Sequence, residues 1–209
     1  MKLTPEFIRQ KLSDSLPGLS SHLKMAPASR AKEMTLLSGN FDNAKKSAVM
    51  ILLFQEDNRI KVIFIRRSNY VGIHAGQIAF PGGRFEESDV YIENTALREI
   101  EEEIGITPDK IEVLGRLTDI YVPTSNFLIC VFVGFINQKP KYTMNVHEVS
   151  EIIELDLMDF FKEDIIDEKE FVIPSDHISV IAQYYKVGTI ELWGASAMVM
   201  TELIDIIRG

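Results

Sequence analysis

The chain has 209 residues, a formal net charge of −9 from 22 lysines and arginines against 31 aspartates and glutamates, and 46% hydrophobic residues. That length and apolar content suit one soluble folded domain with a sizeable core, while no run of about 18 apolar residues is present to span a bilayer. The acidic balance argues against general affinity for nucleic-acid phosphates, which rests on lysine and arginine.

In chain order, Thr4 followed by Pro5 makes a helix start, with Thr as cap and Pro at the first helical position. Phe7, Ile8 and Leu12 carry the helix to about Leu16. Residues 17–44 hold Pro17, Gly18, Pro27 and Gly39 among polar residues and read as an irregular arm over the core. Ala48 to Phe54 and Ile60 to Ile65, joined by Glu56-Asp57-Asn58-Arg59, read as a hairpin, and strands dominate up to an acidic helix near residue 95. Beyond that helix, Ile111 to Leu117 and Phe127 to Ile136 are expected strands, the second preceded by a turn at Pro123-Thr124-Ser125-Asn126. The single cysteine, Cys130, lies inside the second strand, which excludes an intrachain disulfide and suggests a buried, inert thiol. Asp156 through Lys162 is an expected short helix, Gln183 to Val187 and Thr189 to Leu192 an expected hairpin around Gly188, and Ala195 to Arg208 a closing helix. Strands arriving mostly by hairpins among helices imply an α/β fold with a mixed sheet covered by helices. Without a signal-peptide core after Met1-Lys2-Leu3-Thr4-Pro5 or a peroxisomal address at Ile207-Arg208-Gly209, a cytoplasmic location is expected.

The chemistry concentrates in Gly82-Gly83-Arg84-Phe85-Glu86-Glu87-Ser88-Asp89 and Thr95-Ala96-Leu97-Arg98-Glu99-Ile100-Glu101-Glu102-Glu103-Ile104-Gly105-Ile106. At about 100° per residue, with Ala96 at zero, Leu97, Ile100 and Ile104 form an apolar stripe, and Glu99, Glu102 and Glu103 fall near roughly 300°, 240° and 340°. Like charges at such spacings cost a helix about 0.2–0.5 kcal/mol per pair. A hard divalent cation would remove that repulsion, and Mg²⁺ binds through one or two carboxylates while leaving room for substrate phosphates. The same cluster could also be a solvated helix face. The glycine pair permits close backbone approach ahead of the helix, and Gly105 stands where the helix should stop.

These residues resemble the signature of the Nudix hydrolases, and residues 98 to 106 match every defined position of its Arg-Glu-apolar-any-Glu-Glu-any-Gly-apolar run. Fourteen residues separate Gly83 from Arg98, one more than in the commonest form, and Asp89 stands where the outer glutamate is expected. The preceding segment, Arg67-Ser68 through His74-Ala75-Gly76-Gln77 to Phe80-Pro81-Gly82-Gly83, is similar to the coenzyme A pyrophosphatase branch, which shares the longer spacer and the Thr-Ala-Leu-Arg-Glu start. Resemblance extends over about residues 45–155, with a weaker echo in Leu192-Trp193-Gly194-Ala195-Ser196-Ala197.

The resemblance implies an α/β/α sandwich forming a single domain over 1–209. Residues 1–44 would be an N-terminal helix and arm, 45–155 the core with the motif at 83–106, and 156–209 a C-terminal extension. It further implies a metal-dependent diphosphatase using Mg²⁺ or Mn²⁺, acting on coenzyme A or its thioesters to release 3′,5′-ADP and 4′-phosphopantetheine or its acyl form. The alternatives are another substrate, such as ADP-ribose or a different nucleoside diphosphate derivative, and a non-catalytic nucleotide-binding regulator. Glu99 and Glu103 are the expected metal ligands, Glu102 a third ligand or the holder of a catalytic water, and Gly83 a backbone approach to the metal. Arg98 is expected to hold a carboxylate in place. Arg67, Ser68, His74, Gly76 and Gly82 are candidate substrate contacts, although Arg66, Arg67 and His74 have ordinary structural readings as well. Glu148 and Glu151 are candidate general bases ahead of a strand-like segment. The expected partner is a small molecule, with no nucleic acid and no membrane, and a homodimer is compatible with the family.

Overall fold

The structure is a computed structural model that describes residues 3–36, 41–68, 75–123, 125–173 and 178–209. Helices α1 (Pro5–Leu12), α2 (Leu19–His22) and α3 (Ala28–Leu36) precede strands β1 (Lys45–Glu56), β2 (Arg59–Arg67), β3 (Ile78–Ala79) and β4 (Gly82–Arg84). Helix α4 (Ile92–Ile104) follows, then β5 (Glu112–Arg116), β6 (Ile120–Val122), β7 (Phe127–Ile136) and β8 (Val149–Asp156). The chain closes with β9 (Ile166–Ile173), β10 (Ile178–Val187), β11 (Ile190–Trp193) and α5 (Gly194–Arg208).

Among the described residues, β1 to β8 form one mixed sheet, and β9, β10 and β11 a separate antiparallel one. Strands β1 and β2 are joined through Asp57 and Asn58, both at positive φ (47° and 62°), the backbone of a two-residue turn that follows the strand twist. At the other end of β1, Ala48 pairs with Gly83 and Val49 with Gly82, so β4 occupies the flank that β2 holds further along. On the remaining flank β1 runs parallel to β7.

Each face of the main sheet is covered, giving the expected layered α/β arrangement. Side chains alternate along β1, so Ala48, Met50, Leu52 and Phe54 pack with Cys130 and Phe132 against Ala96, Ile100 and Ile104 of α4. Ile51 and Leu53 point the other way, into a cluster with Val131, Val133 and Phe135 that Met198, Leu203 and Ile207 of α5 and Ile8 of α1 complete. Burial pushes the Cys130 thiol up to about 11, consistent with an inert side chain. No helix among the described residues is long and apolar enough to cross a membrane.

Several expectations change. Helix α1 stops at Leu12 and not near Leu16, because Ser13 ends it: its N–H reaches the Arg9 and Gln10 carbonyls while its hydroxyl also donates to Gln10 O. The arm is not irregular; it contains α2 and α3. Four- and nine-residue helices carry little propensity of their own, and α2 is held by tertiary bonds invisible to sequence periodicity. Glu202 of α5, fully buried, sits 2.9 Å from His22 Nε2 and accepts from Gly18 N at 3.1 Å and Thr118 Oγ1 at 2.6 Å. Ser21 and Lys24 bond Asp205 one turn below. Strand β9 also escaped the sequence reading, since its Asp-Glu-Lys-Glu stretch lacks an apolar alternation and pairs with β10 along an exposed surface.

Candidate active site

Helix α4 carries the acidic motif and sets its geometry. It ends at Gly105, left-handed at φ 74°, whose N–H bonds Glu101 O. The arc buried against the sheet comprises Thr95, Ala96, Ile100, Glu103 and Ile104, with Leu97 only half-buried. Glu103 thus lies at the edge of the core-facing stripe, its side chain 2% exposed, whereas the Glu99 side chain is 13% exposed and that of Glu102 52%. The three motif glutamates therefore sit in three environments.

Glu99 and Glu103 are brought together with Glu148, the three carboxylates offering oxygens all within 4.8 Å of one another. Glu148 comes from the turn ahead of β8, where its N–H bonds Asn145 O and its carbonyl accepts from Ser68 N at 2.8 Å. Glu102 stands outside this cluster, 2.9 Å from Arg98 Nη1. Glu151 stands apart as well, paired through strand β8 with Arg66 at 2.8 Å, so of the two candidate bases only Glu148 faces the other carboxylates.

Backbone from β4 closes on the cluster. Gly82 N–H donates to Glu103 Oε2 at 3.0 Å, and a Cβ on Gly83 would collide with the Glu99 carboxylate. Gly82 has no room either: its φ is 151° and a Cβ would strike the Ala48 carbonyl of β1. The glycine pair permits this packing of β4 between β1 and α4.

Arg98 is the hub behind the cluster. Its Nε donates to Asp89 Oδ1 at 2.8 Å, its Nη1 to Glu99 Oε1 at 2.9 Å, and its Nη2 to Arg84 O at 3.0 Å. Asp89, standing where the outer glutamate of the family signature is expected, lies outside the carboxylate cluster and joins this network, where it also accepts from Thr95 Oγ1 at 2.8 Å and Glu86 N at 2.9 Å. The Arg98 guanidinium holds the Asp89 carboxyl down at about 2, and Asp89 in turn raises Arg98 further above its ordinary value.

The cluster itself is tuned the other way. Burial raises Glu103 to about 8, against the Gly82 N–H and the Arg67 charge, with Glu99 and Glu148 adding repulsion. Burial likewise raises Glu99, opposed by Arg98. Three carboxyl groups gathered at one point, with Glu99 and Glu103 made reluctant to ionise by burial, are the chemistry a hard divalent cation satisfies.

Of the candidate substrate contacts, Arg67 places Nη1 3.9 Å from Glu103 Oε1 and, with Gly82 and Gly83, lines a mostly apolar cavity of about 470 Å³. Ser68 is turned to the loop, its hydroxyl donating to His147 O, and Gly76, at φ 72°, donates its N–H to Arg67 O. Those two support the neighbouring backbone and do not line the cavity. His74 lies outside the described residues. Gln77 and Trp193 line the cavity and were not singled out as contacts from sequence; the hints were the motif at 74–77 for the first and the short echo of the family around residues 192–197 for the second.

A family model described as NUDIX domain matches residues 44–175. Nudix hydrolase 22, chloroplastic, of Arabidopsis thaliana is 29% identical over 168 residues, covering 78% of this chain and 55% of that protein. The uncharacterized Nudix hydrolase NudL of Citrobacter koseri is 29% identical over 167 residues, covering 80% of this chain and 85% of that protein. The chain spans little more than half the length of several curated relatives it matches. Among solved structures, a MutT/nudix family protein from Enterococcus faecalis superposes with a TM-score of 0.57 at 15% identity, over 88% of this chain and 70% of that one, a likeness of fold.

Proposed function

The chain belongs to the NUDIX domain family, and we propose that it is a metal-dependent hydrolase of a diphosphate linkage, acting on coenzyme A or its thioesters as one domain over 1–209. The observation that carries the hydrolytic reading is the Glu99, Glu103 and Glu148 cluster beneath the Gly82–Gly83 backbone. Those three carboxylates would hold Mg²⁺ or Mn²⁺, which supplies charge neutralisation on the phosphoryl oxygens and activation of the attacking water.

The chain's own groups do the positioning. Arg98, itself fixed by Asp89, holds Glu99, and the Gly82 N–H holds one oxygen of Glu103. Arg67, next to Glu103 and open to the cavity, is placed to bind a phosphate oxygen of the substrate. Glu102, half-exposed and tethered to Arg98 outside the carboxylate cluster, would hold metal-bound water from there. The choice of coenzyme A rests on the Arg67-to-Gly83 segment and its similarity to that branch.

Separate incubations with coenzyme A, ADP-ribose and a diadenosine polyphosphate, each with Mg²⁺, Mn²⁺ or EDTA and resolved by chromatography, test the reading. Metal-dependent release of 3′,5′-ADP, with coenzyme A turned over fastest, is expected. Preference for another substrate would discard the coenzyme A assignment alone, and binding without turnover would discard hydrolysis.

A further inference from the structure

The cavity lined by Arg67, Gly82 and Gly83, residues that also touch Glu103 or Glu99, lies on the face of the main sheet opposite α4. Its floor is a strip of three neighbouring strands, with Ser47 and Val49 of β1, Ile129 and Phe127 of β7, and Ile120 and Val122 of β6, each pair two residues apart and so on one face. Its roof comes from outside residues 44–175: Pro27, Ser29 and Arg30 at the start of α3, Val180 of β10, and Trp193, Ala195, Ser196 and Val199 where β11 passes into α5. The family core thus supplies the floor and the end beside the carboxylates, and the flanking segments supply the cover.

The lining says what could enter. Among the described residues no aspartate or glutamate lines the cavity, and the cations lining it are Arg67, beside Glu103, and Arg30, whose Nη2 donates to Tyr121 O at 2.8 Å. Ser47, Gln77, Ser125 and Ser196 are spaced among apolar side chains, a pattern that suits an extended chain with occasional amides. The aromatic rings among the lining residues each have a partner, Trp193 stacked on Phe171 at 4.4 Å and 13°, Phe80 4.7 Å from Phe64, and Phe127 with Lys45 5.7 Å over it. A volume of about 470 Å³ falls in the range of ligand sites.

We propose that this cavity receives the uncharged arm of the substrate, the pantetheine chain with its acyl group, and that Trp193 and Ala195 set the acyl length accepted. The inference rests on the coenzyme A reading above. It places selectivity in the N- and C-terminal flanks and leaves bond cleavage to the core.

The test compares coenzyme A, its acetyl and octanoyl thioesters and ADP-ribose as substrates of the wild type, Ala195→Phe and Trp193→Ala, with a melting curve for each. Calorimetric binding of octanoyl-coenzyme A in EDTA gives a readout independent of turnover. Ala195→Phe should lower kcat/KM for the octanoyl thioester at least about tenfold more than for coenzyme A, because two or more methylenes lose their burial. Trp193→Ala should shift preference toward longer chains. Ser196→Phe, on the same wall, replaces Ala195→Phe if that variant does not fold. Equal losses on every thioester, or unchanged octanoyl-coenzyme A binding in a folded Ala195→Phe, overturn the inference and leave the coenzyme A reading intact. Wild-type cleavage of ADP-ribose alone, with no octanoyl-coenzyme A bound in EDTA, overturns both.

Discussion

Gly82 and Glu103, 21 positions apart in the chain, meet through a 3.0 Å hydrogen bond from the glycine N–H to the buried carboxylate. The bond fixes one oxygen of a carboxyl group that burial has made reluctant to ionise, and leaves the other toward Glu99, Glu148 and Arg67.

That carboxyl should show itself in the pH dependence of the metal-free protein. Its folded value of about 8 lies above the unfolded value, about 4.3. Between the two the folded state retains a proton that the unfolded chain has released, so stability falls as pH rises through that interval and stops falling above it. A bound cation must displace the same proton, so apparent Mg²⁺ affinity weakens as pH drops below 8. Glu103→Gln should flatten both dependences and lower turnover roughly 10²–10³-fold. Melting curves and calorimetry between pH 5 and 9, with turnover assays, measure this; a wild-type pH profile in the Gln variant would sink the assignment.

Gly83→Ala should spare most of the fold and damage the site. The added methyl has to displace the Glu99 carboxylate, and a displacement of about 1 Å can cost about 10²-fold in rate. Unchanged turnover in a folded Gly83→Ala protein would show that the close approach has no catalytic consequence.

Asp89 anchors Arg98, and its folded value of about 2 lies below the ordinary carboxylate value. The stability it contributes is present above the unfolded value, about 3.9, and is lost as pH falls through about 2. The shift corresponds to about 2.5 kcal/mol at neutral pH, so Asp89→Asn should be destabilised by that order at pH 7 and converge on the wild type near pH 2. Urea titrations at both ends of the range give the comparison.

Glu148 and Glu151, three residues apart, should behave differently. Glu148→Gln removes a member of the carboxylate cluster and should raise the Mg²⁺ concentration needed for half-maximal activity about 10–100-fold. Glu151→Gln breaks a half-exposed pair with Arg66, worth about 0–1 kcal/mol, and should leave metal activation unchanged. Metal titrations of the two variants side by side decide between the carboxylates.

The buried Glu202 should matter for stability. Glu202→Ala strips His22, Gly18 N and Thr118 of their shared partner, and each buried polar group left unsatisfied costs about 1–3 kcal/mol. It also loosens α2 and the Pro27–Arg30 segment behind it. A melting temperature within a degree of the wild type would refute the clasp.

Local rules made much of the molecule readable from the chain alone. The β1–β2 hairpin follows from two apolar runs around Asp57-Asn58, α4 and its end from a helical apolar period closed by Gly105, and the α5 helix from its apolar spacing, because each depends on neighbours within a few residues. The motif from Gly82 to Ile106 pointed to a carboxylate site for the same reason. What local rules could not reach was where each carboxylate would end up. Helical spacing put Glu99, Glu102 and Glu103 on one arc, yet the sheet buries Glu103, Arg98 draws Glu102 outward, and a turn 45 residues further on brings Glu148 in to complete the cluster. Likewise α2 and the cavity roof draw on contacts between the two ends of the chain, such as His22 with Glu202, while β9 owes its place to pairing with β10. Residue type and short-range spacing are written in the sequence; burial, which sets whether a glutamate is a surface charge or a metal-seeking acid, is decided only when distant segments pack.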